Sequence, residues 1–289
     1  MDESTPGQPR ARARPLRRLF KPAATEKRTE PRVTDPAQDR ADDKRARRCQ
    51  IRCPRSPDLV CPCHERLTEP ERRALERIRA AGGVVFDEGN EVHEVRLARL
   101  WTLLRPDEGV CPKSSLQWKG LGFQGENPRT DFRGAGLLAL QCLVYMAEQY
   151  TQDLLLLVEE SASLHHYPVA AALINVTHFL VVFLRLTEPS IRHLSPAKPS
   201  RPANKRCIKA FARLACAFEE LFCASALFLH RSWKQKMQAG SGSITLLAFN
   251  STFYTLQEGV RWMLSQRPSG VGDFHRMLSQ HHTKKDKWV

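Results

Sequence analysis

The sequence lacks any apolar run long enough to cross a bilayer, which takes about 20 residues. Its best candidate, residues 169–184, is interrupted by Asn175, Thr177 and His178, and therefore predicts a buried core helix. The first residues carry basic side chains without the apolar stretch of a secretory signal. No glycine follows Met1 and no prenylation motif ends the chain. We therefore expect a cytoplasmic protein without a transmembrane segment.

The sequence also contains none of the short motifs typical of a self-contained enzyme. It has no G-x-S-x-G, no H-E-x-x-H, no Walker loop and no carboxylate pair at a recognisable spacing. Alternating apolar patterns are missing as well, and the single strand-like run at 84–86 cannot form a sheet, so we expect a loop there. These absences favour an all-α protein without a complete active site of its own.

Basic residues are what the chain has in excess. Its formal net charge is +14, and residues 1–60 contribute +7 of that with 16 Lys and Arg against 9 Asp and Glu. Few large apolar residues lie in 1–66, so we predict a disordered basic arm there. Such an arm can contact an anionic membrane surface or an acidic protein, or be merely solvated. It has no aromatic interleaving, so we expect no specific nucleic-acid binding.

Nine cysteines are an odd number, and most of those beyond the arm lie in apolar helical runs. We therefore expect a reducing compartment without structural disulfides. Five weak candidates for zinc ligands lie within the arm, but their spacing departs from the usual two knuckles, and no metal site is predicted. Acylation is the alternative for these cysteines, and unliganded thiols are the default. The five residues are Cys49, Cys53, Cys61, Cys63 and His64.

Helical periodicity begins at Thr68, where Pro70 and Glu71 complete the pattern of a helix start. We predict an all-helical domain over residues 67–280 and a solvated basic tail over 281–289. The first helix should run to about Ala81 and stop at Gly82-Gly83. In the fourth predicted helix, 153–163, we expect the apolar run 154–158 to be buried. Further helices are expected at about 91–104, from an N-cap at 130 or 131 to about 150, and at about 168–186, 205–237, 244–265 and 274–280, with a proline-rich loop at 189–202.

The stretch 118–140 stands at the centre of this pattern, because a glycine-rich loop leads directly into the most apolar helix. Glycines at such density indicate sharp turns or close approaches. Thr130 or Asp131 is a suitable N-cap, which would place Arg133 in the first helical turn. A helix N-terminus disfavours a cation, so Arg133 is either functional or paired with Asp131 or Glu126. The five glycines are Gly120, Gly122, Gly125, Gly134 and Gly136.

The run W-x3-GFQG-x2-P-x-TDFRG-x-G, residues 118–136, resembles the signature of the ELMO (engulfment and cell motility) domain. It is most similar to the subfamily that activates GTPases of the Arf and Arf-like group. Shorter matching pieces extend the resemblance over about 95–278, including Tyr167-Pro168, Trp233 and Phe249-Asn250. The resemblance implies a compact multi-helix ELMO domain behind the arm.

The resemblance also implies a function. Arg133 matches the arginine that the subfamily supplies in trans to the GTP site of its partner, and GTP and Mg²⁺ would belong to that GTPase, with no cofactor of the chain's own. The alternative is a non-catalytic scaffold that docks a small-GTPase regulator or a cytoskeletal partner, as in the larger engulfment proteins, which lack this arginine. Either function implies a cytoplasmic site, at membranes or the cytoskeleton.

The residues around Arg133 have predicted supporting roles. Trp118 and Phe123 would pack the loop against the core helix, or simply belong to the core. Asp131 would orient Arg133 or cap the helix, and Gln124 would bond loop backbone. The supporting loop consists of Trp118, Gly122, Phe123, Gln124, Pro128, Thr130, Asp131, Gly134 and Gly136.

Overall fold

The computed structural model describes residues 67–162, 167–186, 202–214, 217–239 and 246–285. The predicted disorder of the arm, its candidate zinc ligands and most of the proline-rich loop lie outside these residues. Within them the protein is all helical, as predicted, and none of them forms a β-strand. The helices are α1 Glu69–Gly82, α2 Glu91–Leu104, α3 Leu116–Gly120, a 3-10 helix Pro128–Arg133, α4 Gly136–Gln149, α5 Thr151–Glu160, α6 Val169–Phe183, α7 Lys205–Arg213, α8 Phe218–Ala239, α9 Leu246–Ser265 and α10 Gly272–Lys285.

The first two helices begin where local rules place them. Thr68 forms a capping box with Glu71: its hydroxyl accepts from the Glu71 N–H, and the Glu71 carboxylate accepts from the Thr68 N–H at 2.7 Å. Asn90 caps α2 by accepting from the Val92 N–H at 3.0 Å. The predicted bounds of both helices are confirmed, because each is set by residues within four positions of the helix end.

Helices α4 and α6 form the centre of the core. Every residue of α6 except Asn175 is buried, which confirms the prediction of a core helix there. Helix α4 buries nine of its residues and packs against α2, α6 and α8, while α8 also packs against α9 and α10. The segment before α4 therefore leads directly into the most buried part of the described structure.

Three predictions about helices were wrong. The helix expected over 205–237 is divided into α7 and α8: both pack on α9, but α7 also packs on α1 whereas α8 also packs on α4, α6 and α10. Of the four consecutive leucines in α5, Leu154 and Leu157 are buried and the two between them are exposed, since a 3.6-residue period cannot turn four neighbours inward. Helix α10 continues to Lys285, beyond the predicted start of the tail.

Candidate functional site

The site segment folds as a short 3-10 helix rather than as the first turn of α4. Asn127 caps it by accepting from the Arg129 N–H at 3.1 Å, and Pro128 occupies the first position. Arg133 is its last residue. The predicted capping of α4 by Thr130 or Asp131 is therefore wrong, because both residues lie inside the 3-10 helix.

Helix α4 begins at Gly136 and has no side-chain cap. One of its free N–H groups is satisfied from a distant part of the chain, since Leu137 N–H donates to the Val84 carbonyl at 2.9 Å. This bond ties the loop after α1 to the segment that carries Arg133. It joins residues 53 positions apart, so no local rule predicts it.

A series of packed aromatic rings connects the turn that carries Arg133 to the core. Trp118 lies 4.9 Å from Trp101 and 5.3 Å from Phe123, measured between ring centroids. Phe132 continues the series at 6.0 Å from Phe123 and 5.4 Å from Phe86. The Trp118 indole N–H donates to the Pro112 carbonyl at 2.9 Å. Trp118 and Phe123 are thus core residues that contact Trp101 on α2 and Phe132 in the turn, and their packing of the loop against α4 stays a prediction.

Asp131 holds the loop closed. Its carboxylate accepts from the backbone N–H of Gln124 at 2.8 Å and from the Thr130 hydroxyl at 3.4 Å. Partial burial raises the pKa of Asp131 above its ordinary value, and these two bonds and the charge of Arg133 oppose that rise. We expected the Gln124 side chain to bond the loop backbone. In the structure it is the backbone N–H of Gln124 that takes part, by donating to the Asp131 carboxylate.

Arg133 is exposed and forms no ion pair with any residue that the structure describes. The two carboxylates proposed as its partners are engaged elsewhere: Asp131 with Gln124, and Glu126 with Lys119 at 4.0 Å. Gly134 beside it is exposed too. The guanidinium group is therefore available to a ligand or a partner protein.

Arg129 is the structural arginine of this segment, and sequence reasoning missed it. Its side chain is 6% exposed and forms a bidentate pair with Glu94 on α2, with Nε 2.8 Å from Oε1. Its Nη1 also donates to the Lys113 carbonyl at 2.7 Å. A charged residue directly after the proline that opens the turn is the one local signal that could have pointed to it, but its partner Glu94 lies 35 positions away.

His178 supports the backbone directly after Arg133, and this contact was also missed. The ring is buried in α6, and its Nδ1 lies 2.7 Å from the Gly134 carbonyl oxygen. Desolvation lowers the pKa of His178 below its ordinary 6.5. The neutral ring therefore donates its Nδ1–H to Gly134, and Nε2 is buried without a partner among the described residues.

His178 should make stability depend on pH. Because its pKa is lowered by folding, the unfolded chain binds the proton more readily, so the stabilisation is present above pH 6.5 and is lost as the pH falls toward the folded-state pKa. The loss from one such group is at most about 1.4 kcal/mol per pH unit. His178→Asn keeps an N–H donor for Gly134 and removes the titration. We expect the variant's melting temperature to fall less than that of the wild type between pH 7 and 5; parallel curves would contradict this assignment.

Two of the five glycines are required by the backbone. Gly122 has φ +85°, and an added Cβ would lie 2.6 Å from the Val169 backbone nitrogen. Gly136 has φ +58°, and its Cβ would lie 2.2 Å from the Val84 carbonyl oxygen. The other three, Gly120, Gly125 and Gly134, have no such restriction, so the expectation of sharp turns or close approaches within the fold is wrong for them.

The described residues contain no group of three or more His, Cys, Asp or Glu side chains placed to hold a metal ion. Their cysteines are all free thiols: Cys111, Cys142, Cys207 and Cys223. No described helix combines the length and the apolar composition that a bilayer crossing would require. The chemically distinctive feature of this region is thus an exposed arginine on a tightly anchored turn.

A known protein family matches the part of the chain that contains this turn. The model of the ELMO/CED-12 family matches residues 76–249. ELMO domain-containing protein B of Dictyostelium discoideum is 38% identical over 112 residues, 35% of this chain and 39% of that protein. ELMO domain-containing protein 2 of Mus musculus is 33% identical over 141 residues, 47% of each chain. ELMO domain-containing protein 1 of Mus musculus is 48% identical over 64 residues, 22% of this chain and 20% of that protein. The chain spans less than half the length of each of these relatives.

Proposed function

The chain belongs to the ELMO/CED-12 family, and on that premise we propose that it is a GTPase-activating protein for an Arf-like or Arf-family small GTPase. Arg133 is the residue that acts, inserted in trans into the nucleotide site of the partner. The observation that carries the proposal is the state of Arg133: it is exposed and unpaired among described residues, on a turn that other side chains hold in place.

The chemistry of GTP hydrolysis explains why one arginine suffices. The GTPase itself binds GTP and Mg²⁺ and positions the attacking water, while negative charge develops on the phosphate oxygens in the transition state. A guanidinium group is always charged and can meet two oxygens through its planar fork. An activator therefore needs a cation at the right place rather than a complete active site.

The surroundings of Arg133 meet the requirement for preorganisation. Two hydrogen bonds hold the turn, one between the Asp131 carboxylate and the Gln124 N–H and one between the His178 ring and the Gly134 carbonyl. The buried ring of Phe132 anchors it in the core. A cation on such a turn reaches its partner with little further ordering, which matters because ordering a mobile side chain and loop would consume part of the binding free energy.

The second candidate is a non-catalytic ELMO-type scaffold that docks a small-GTPase regulator or a cytoskeletal partner. The observation that favours it is the family match over residues 76–249, which extends far beyond the turn that carries Arg133. Such a scaffold would bind its partner equally well with any residue at position 133, so the two functions separate on GTP hydrolysis.

The test is a single-turnover hydrolysis assay with purified Arf and Arf-like GTPases, each loaded with GTP and mixed with the full chain in excess. We expect at least one GTPase to hydrolyse GTP faster by a factor of about 10³ to 10⁵, the range for an arginine supplied in trans. Binding to a GTPase without any acceleration across the panel would leave the scaffold function instead.

A further inference from the structure

A side chain that enters another protein brings the surface around its own backbone against that protein. Stable interfaces bury about 800 Å² on each partner, far more than one arginine provides. The residues fixed to the Arg133 segment must therefore contribute to any contact that Arg133 makes. Their chemistry indicates what they would meet.

Two consecutive valines are fixed to this segment and face outward. Val84 is 40% exposed and Val85 is 68% exposed. The Val84 carbonyl accepts from the Leu137 N–H at 2.9 Å, and the Gly136 backbone is pressed against it so closely that no Cβ would fit. Phe86, which follows, stacks on Phe132 at 5.4 Å. The backbone around the two valines is thus held against the segment that carries Arg133, and their side chains present an exposed apolar surface there.

Gly134 completes this surface. Its backbone is in the right-handed helical region, with φ −85° and ψ −29°, which any residue adopts. An added Cβ would meet no described atom within 4 Å. The fold itself would accept a larger residue, and Ala would lower the conformational entropy of the unfolded chain. A glycine here instead leaves the backbone bare, which allows another backbone to approach closely.

We infer that Val84, Val85 and Gly134 form the docking surface on which the small GTPase rests while Arg133 enters its nucleotide site. The inference rests on the proposed function and specifies its contact: apolar side chains of the GTPase beside its GTP site pack on the valines, and its backbone passes over Gly134. Val84, Val85 and Gly134 thus bind the GTPase, and Arg133 takes part in the chemistry.

The experiment measures the single-turnover hydrolysis rate against activator concentration, which separates the maximal rate from the half-saturating concentration. The test variants are Val85→Glu and Gly134→Gln. Matched controls are Val271→Glu and Gly270→Gln: Val271 is 40% exposed, an added Cβ at Gly270 meets nothing within 4 Å, and both precede α10, which packs on α8 and α9.

Each test variant should raise the half-saturating concentration by at least about tenfold, because it places a buried charge or a bulky side chain in the interface. The maximal rate, the melting temperature and both controls should stay as in the wild type. Unchanged half-saturation in both test variants, or an equal rise in the controls, would overturn the docking surface while leaving the activator function standing. A wild-type chain that accelerates no GTPase would overturn the function and this inference together.

Discussion

Replacing Arg133 by Lys should remove most of the GTPase stimulation, a loss of about 10³ to 10⁵ in rate or roughly 4 to 7 kcal/mol of transition-state stabilisation. Lys keeps the positive charge but has no planar fork to meet two phosphate oxygens at once. Because Arg133 is exposed and unpaired among the described residues, neither Arg133→Lys nor Arg133→Ala should lower the melting temperature. Both variants should still bind the GTPase, since the docking surface is intact.

Arg129→Lys is the matched control, four residues away in the same 3-10 helix. Replacing the Arg129 guanidinium breaks the bidentate pair with Glu94 and the bond to the Lys113 carbonyl, both in a buried setting. We expect a cost of about 1 to 3 kcal/mol in the free energy of unfolding and a lower melting temperature. Full stimulation by Arg133→Lys would refute the role of Arg133 in trans. A lower melting temperature for Arg133→Ala would make that residue structural.

Gly136→Ala is expected to cause the largest loss of stability. The added Cβ would lie 2.2 Å from the Val84 carbonyl oxygen, and the backbone has φ +58°. Strain in the left-handed region, displacement of the Val84 carbonyl and loss of its bond to the Leu137 N–H together should cost about 3 to 5 kcal/mol. Urea denaturation followed by circular dichroism measures this change in the free energy of unfolding.

Gly134→Ala, two residues earlier, is the control for Gly136. It needs no unusual backbone angle and meets open space, so its unfolding free energy should be unchanged or higher by up to about 1 kcal/mol. Equal effects of the two substitutions would mean that the loop after α1 moves aside, and that Val84 does not hold the start of α4.

Much of the fold could be predicted because its signals are local. The capping box at Thr68 set the start of α1, and the apolar period placed α2 and the buried helix α6. The motif around Arg133 could be recognised for the same reason, as a contiguous run of nineteen residues. Errors came where packing overrode local preference: α7 and α8 part to reach different neighbours, and Asp131 binds Gln124 instead of capping α4.

The sequence by itself determined the helical class and the family, and it predicts Arg133 as the site residue, because these depend on residues that are neighbours in the chain. Only the tertiary structure decided which arginine is structural and which is available. Arg129 binds Glu94 across 35 positions, and Val84, in the loop after α1, and His178, on α6, bind the ends of the same segment. Periodicity and capping act within about four residues, whereas these bonds depend on how helices far apart in the chain pack together.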